Sequence, residues 1–178
     1  MKTFRSWHLV AAAALLIIAT PAHAQRSVDV APNAPQDRNV RATLRCQAAA
    51  MKAAIAPLSA AARASFPAAR ERFERGLPPR HTFFATTWLH DNLEHEELVS
   101  IAVDSVSGTG DATRIAGRIW NPVNIVRGYS YRQPYSFPAA DLVDWMVARP
   151  DGSEEGNEVG KFMDTYEPPK TCVDPRAG

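Results

Sequence analysis

Between Asp141 and Tyr166 two apolar runs, residues 142–147 and 159–163, flank a turn-rich loop that opens Pro150-Asp151-Gly152-Ser153 and continues through Glu154, Glu155, Gly156 and Asn157. Asp-Gly after proline favours a tight turn, because glycine accepts positive φ and the aspartate oxygen bonds the local backbone. The pattern predicts strand, turned loop, strand. A run as apolar as 142–147, broken only by Asp144, must bury at least one face, so the chain has to supply a layer to cover it. Trp145 is expected in that buried face, against helical segments 44–55 or 66–77. Asp144, on the opposite side of the strand, would face outward or cap a neighbouring turn.

The covering layer lies upstream. Residues 40–56 are rich in Ala, Leu, Met and Ile, and Leu44, Ala48, Met51 and Ile55 fall on one helical stripe. Proline has no amide hydrogen and crowds the residue before it, so Pro57 is expected to end this helix. Ser59 would cap a short second helix, Pro67 would open a further helical stretch over 68–75, and Gly76 would close it. After Arg80 the chain turns aromatic and β-branched: residues 83–89, 98–103 and 113–120 read as strands, the last with a period of two. Residues 123–138 read as irregular with one short strand. The fold class is therefore α+β: N-terminal helices packed on a mostly antiparallel sheet of about five strands, with the helices before about residue 78.

The first residues carry Lys2 and Arg5, then the apolar run 9–20, then Ala22-His23-Ala24. This is the pattern of a secretory signal peptide over 1–24, with cleavage expected after Ala24. Residues 25–39 are polar and aperiodic and read as a flexible leader to a single domain over 40–178. Export to the periplasm or the medium follows, with no membrane anchor once the signal is removed. Of the 20 basic residues two lie in the signal, and none of the 19 acidic ones does, so the mature chain carries net charge −1. That balance offers nothing to a nucleic acid or an anionic membrane. Two cysteines, Cys46 and Cys172, are expected to pair in an oxidising compartment.

Several segments together resemble a bacterial family known as domain of unknown function 2314. Ala62 to Phe73 is similar to its Ala-x-x-x-Phe helical segment, and Phe83-Phe84 opens its first strand. Asp91 to Glu97 occupies the acidic approach to the second strand. Gly117 to Pro122 corresponds to a strand end in which Asn121-Pro122 takes the Asn/Pro positions. Val143-Asp144-Trp145-Met146 with the later Asp151-Gly152 matches the Asp-Trp-Met signature. The likeness covers about residues 62–166. Val99 stands where the family has an aromatic, and Asn121 and Pro122 are adjacent rather than separated. The resemblance implies a fold, with Asn121, Pro122, Asp144, Trp145, Met146 and Gly152 in structural roles, and no reaction.

The sharpest chemical candidate is the run His90-Asp91-Asn92-Leu93-Glu94-His95-Glu96-Glu97. Two imidazoles and four carboxylates (Asp91, Glu94, Glu96, Glu97) have the ligand chemistry for a divalent ion, which would make the chain a metal-dependent hydrolase. The His-x4-His spacing fits no helical zinc motif, and a solvated acidic loop between strands is the plainer reading. No nucleophile elbow or phosphate loop occurs, and no cofactor is expected. Trp120, Tyr129, Tyr131, Tyr135 and Phe137 would line a groove for a glycan or peptide, or divide between core and surface. The reading that fits best is a non-catalytic binding or interaction module with a protein or small-molecule partner. An immunity-type protein against a delivered toxin is one version of it.

Overall fold

Met51, Ile55, Ala62, Phe66 and Ala69 are all buried, and their spacing stays in helical register from one end of the first helix to the other. The computed structural model describes residues 45–171. In it, Arg45–Arg75 form one continuous 31-residue helix, α1, with Pro57 and Pro67 inside it. The expected break at Pro57, the cap at Ser59 and the restart at Pro67 are therefore corrected. A proline inside a helix costs about 3 kcal/mol through its lost hydrogen bond and its clash with the preceding turn. Here both prolines are exposed, and so are the residues four before them, Ala53 and Arg63. The carbonyls they release lie on the wet side of the helix, where water satisfies them. Burial of Met51, Ile55 and Phe66, at about 1.5–3 kcal/mol each, outweighs what remains. Ser59 faces the core instead of capping. Gly76, at φ +97°, ends the helix with its amide on the Phe73 carbonyl.

Six strands follow: β1 (Thr82–His90), β2 (Glu96–Ser107), β3 (Arg114–Ile119), β4 (Pro134–Pro138), β5 (Asp144–Ala148) and β6 (Glu154–Gly156). They form one antiparallel sheet in the order β4-β3-β2-β1-β5-β6, so the α+β expectation holds with one strand more. The centre is β1, whose Phe83, Phe84, Ala85 and Leu89 are buried on both faces. One face, with Phe83, Ala85, Leu89, Ile101, Ile115, Ile119 and Trp145, packs on Phe66, Ala69 and Phe73 of α1. Gly117 in β3 is obligatory: a Cβ there would stand 2.1 Å from the Ala102 carbonyl oxygen of β2.

Trp145 lies where expected. It is 8 % exposed, its ring sits 6.3 Å from that of Phe83, and its indole Nε1 donates to Ser65 Oγ at 2.9 Å. The run after the turn does not. Residues 159–163 belong to a second helix, α2 (Glu158–Thr165), and only Glu154–Gly156 return as a strand. Buried Val159, Gly160 and Met163 have helical spacing, and this run of five residues is too short for periodicity alone to decide. The deciding group is Asp144. Buried at 2 % exposure, it accepts the Val159 amide at 2.6 Å and so caps the first turn of α2. Met51 and Ile55 of α1 then pack with Val143, Val159 and Met163. The signal peptide, the leader and Cys172 lie outside the described residues. Among those described there is no free cysteine, and no helix is long and apolar enough to cross a membrane.

Candidate functional site

The acidic run 90–97 sits at one end of the β1–β2 hairpin, and the fold divides its side chains among three jobs. Asp91 Oδ1 accepts the amides of Leu93 at 2.8 Å and His95 at 3.1 Å, while Oδ2 takes His95 Nδ1 at 2.9 Å and the Arg127 amide at 3.1 Å. Burial pushes this carboxyl upward. The Arg127 amide, the His95 ring and the Leu93 and His95 amides outweigh that, and hold it well below the ordinary carboxylate range. Glu97 points inward, 6 % exposed, and accepts the amides of Asn124 (2.9 and 3.0 Å), Ile125 (2.7 Å) and Val126 (3.2 Å). Glu96 turns the other way, to Lys52 of α1 and to His90 Nδ1 at 3.2 Å. Glu94 takes the left-handed turn position at φ +62°. Among the described residues no three His, Cys, Asp or Glu side chains are grouped to hold a metal ion. Asp91 and Glu97 instead clasp the 124–127 segment to the hairpin through its backbone amides.

The signature residues are equally occupied. Asn121 Oδ1 accepts the Ser100 amide at 2.7 Å, so its side chain continues the ladder where β3 stops, and Pro122 carries the chain away from the sheet. Asp144 also accepts the Trp145 amide at 2.8 Å. The Trp145 carbonyl accepts the Asn157 amide at 2.9 Å, and a Cβ at Gly156 would strike that carbonyl at 2.3 Å and the indole at 3.0 Å. Met146 is buried beside Phe84. Gly152 supplies the positive φ of +84° that the turn requires. Among the described residues, no buried side-chain nitrogen or oxygen lacks a hydrogen-bond partner. The aromatic set divides: Tyr129, Tyr135 and Phe137 join the α1-facing core, whereas Trp120 packs at a tilt, 6.4 Å from the ring of Phe84 and 5.5 Å from that of the exposed Tyr131.

Among the described residues, clefts flank α1 at both its halves. One, of about 470 Å³, lies between its first half and the end of β1, with Lys52, Ile55, Arg63, Trp88, His90 and Val143 in its wall. The β5 ladder reaches only Thr82–Thr86 of β1, so α1 and residues 139–143 take the place of a strand beside Thr87–His90. There Arg63 donates to the Leu142 carbonyl at 2.8 Å and Thr87 Oγ1 to that of Asp141 at 3.0 Å. The other cleft, of about 340 Å³, lies where α1 ends against β5 and β6. Arg72, Arg75, His81, Arg149 and Glu155 line it above an apolar floor of Leu77, Pro78 and Val147. Arg72 Nη1 meets Glu155 Oε1 at 2.6 Å, and Arg149 Nη2 meets Oε2 at 3.2 Å. Arg72 also stands over the Trp145 ring, 5.9 Å from its centre. Sequence reasoning missed Arg72, Arg149 and Lys52, because each acquires its neighbours only across elements far apart in the chain. Comparison with protein-family models, curated proteins and solved structures finds no match.

Proposed function

We propose that this chain is an exported, non-catalytic binding or interaction module, a member of the domain of unknown function 2314 family, with a protein or small molecule as its partner. One observation carries the reading. Asp91 and Glu97, two carboxylates of the run that looked most chemical, spend their oxygens largely on loop amides, whereas the cleft at the end of α1 gathers arginines around a single carboxylate with no buried role. A structural carboxylate is saturated by fixed amides, and a recognition surface keeps its charges at a concave rim over apolar floor. A toxin met in the same compartment is the immunity-type version of this partner.

A thermal-shift screen of the mature domain tests it, with organic acids and peptides in one arm and Zn²⁺ with and without EDTA in the other. The binding reading expects stabilisation in the first arm that chelator leaves unchanged. Hydrolysis that requires Zn²⁺ and is lost in His90→Ala or His95→Ala would overturn it in favour of the metal-dependent hydrolase. Export is checked separately: intact mass should place the mature N-terminus at Gln25, and thiol titration of the denatured, unreduced protein should find no free sulfhydryl, as a Cys46–Cys172 bridge requires.

A further inference from the structure

We propose that the cleft where α1 ends is a binding site for a small organic acid: a carboxylate carried on an apolar body. The proposal names the ligand class of the binding module and rests on that reading. Arg72 and Arg149 come from different elements, the last turn of α1 and the residue after β5, and converge on the two oxygens of Glu155. Two guanidinium groups forking one carboxylate is the arrangement by which proteins recognise carboxylate ligands, and here the protein supplies the carboxylate itself. Glu155 is the middle residue of β6, a three-residue strand at the edge of the sheet, and its side chain is 34 % exposed. It can swing into solvent without opening the core.

A ligand carboxylate in its place would keep both arginines paired. It would also lay an apolar body on the half-buried Leu77 and the exposed Pro78, at the mouth of the cleft above buried Val147. Charge selects the sign of the ligand. Three arginines line the cleft against Glu155 alone, since the carboxylate that pairs with Arg75, Glu71, is 68 % exposed and lies outside the lining. The Arg72 guanidinium stands over the Trp145 ring and Arg149 Nη1 donates to Ser153 Oγ at 3.3 Å, so both heads keep a partner when Glu155 leaves.

The test uses the mature full-length domain and 3-phenylpropionate as the probe, followed by two-dimensional NMR of the arginine Nε–H and tryptophan indole signals. Saturable shifts at Arg72, Arg149 and the Trp145 indole are expected, and none with the neutral 3-phenylpropionamide. Arg149→Ala should weaken binding at least about tenfold, the loss of one charge-assisted hydrogen bond. Glu155→Gln removes the competing carboxylate and should tighten binding by up to about fivefold, the most a part-exposed ion pair is worth. Weaker binding in Glu155→Gln, unchanged affinity in Arg149→Ala, or inorganic phosphate binding as tightly as the probe would each overturn the assignment. No binding of the probe would overturn it as well. If another ligand or a protein then shifted signals elsewhere, this site would fall and the binding-module reading would stand.

Discussion

The two regions that flank α1 hold carboxylates in opposite circumstances. Beside its first half, the β1–β2 hairpin holds Asp91 and Glu97, whose oxygens are filled by amides of the hairpin and of segment 124–127. At its last turn, Glu155 is held by two arginine side chains at a part-exposed rim. Backbone amides are fixed by the fold and cannot be recruited elsewhere. A pair of arginine side chains can exchange one carboxylate for another. Two of the acidic residues packed densely over 90–97 thus form a clasp, whereas Glu155, on an edge strand, has only side-chain partners and is the carboxylate that a ligand would displace in the proposed site.

The most disruptive way to break this comparison is to remove what both regions stand on. Trp145→Ala should cost about 3–5 kcal/mol, and for a domain of this size each kcal/mol lowers Tm by roughly 2–4 °C. A shift under about 2 °C would remove Trp145 from the core. Next comes Glu97→Ala, which takes the partner from the buried Val126 amide and the part-buried amides of Asn124 and Ile125, and should cost about 1–3 kcal/mol in urea unfolding. Glu97→Gln, with one carbonyl oxygen left to accept, should lose less. Equal and small losses would show that the clasp is decorative.

Acid separates the two regions more gently. Because the folded-state pKa of Asp91 is depressed, its contribution is complete above the unfolded value of about 4 and is lost as pH falls below it. The stability difference between wild type and Asp91→Asn should therefore be larger at pH 6 than at pH 3. A difference that grew on acidification would contradict the hydrogen-bond pattern. Smallest is the effect of Glu155→Gln on melting without ligand: a part-exposed pair is worth about 0–1 kcal/mol, so Tm should move by no more than about 4 °C.

Sequence patterning reached the fold class, the central strands and the burial of Trp145, because each follows from a local period that burial enforces. It placed the end of the first helix at Pro57, since the cost of a helical proline is local and obvious while the stripe that overrides it spans both sides of the ring. It took residues 159–163 for a strand, because Asp144, the residue that starts α2, stands 15 positions away. The metal-like run 90–97 misled for a related reason. The partners of Asp91 and Glu97 are main-chain amides, and an amide leaves no trace in the identity of Asn124, Ile125, Val126 or Arg127. The arginine cleft left only scattered signs, with Arg72 and Arg75 three apart on a helix and Arg149 just before a turn.

The strand order has a consequence for how copies of the domain meet. Among the described residues the two outer strands are β4 and β6. β4 begins and ends in proline, at Pro134 and Pro138, so only Tyr135, Ser136 and Phe137 carry an amide hydrogen, and these alternate between the two sides of the strand. An approaching strand would find at most two donors there, and β6 is only three residues long. Proline and brevity are how natural sheets refuse further strands. Edges blunted in this way disfavour strand-to-strand pairing between copies, so contacts with other molecules fall to side chains rather than to backbone.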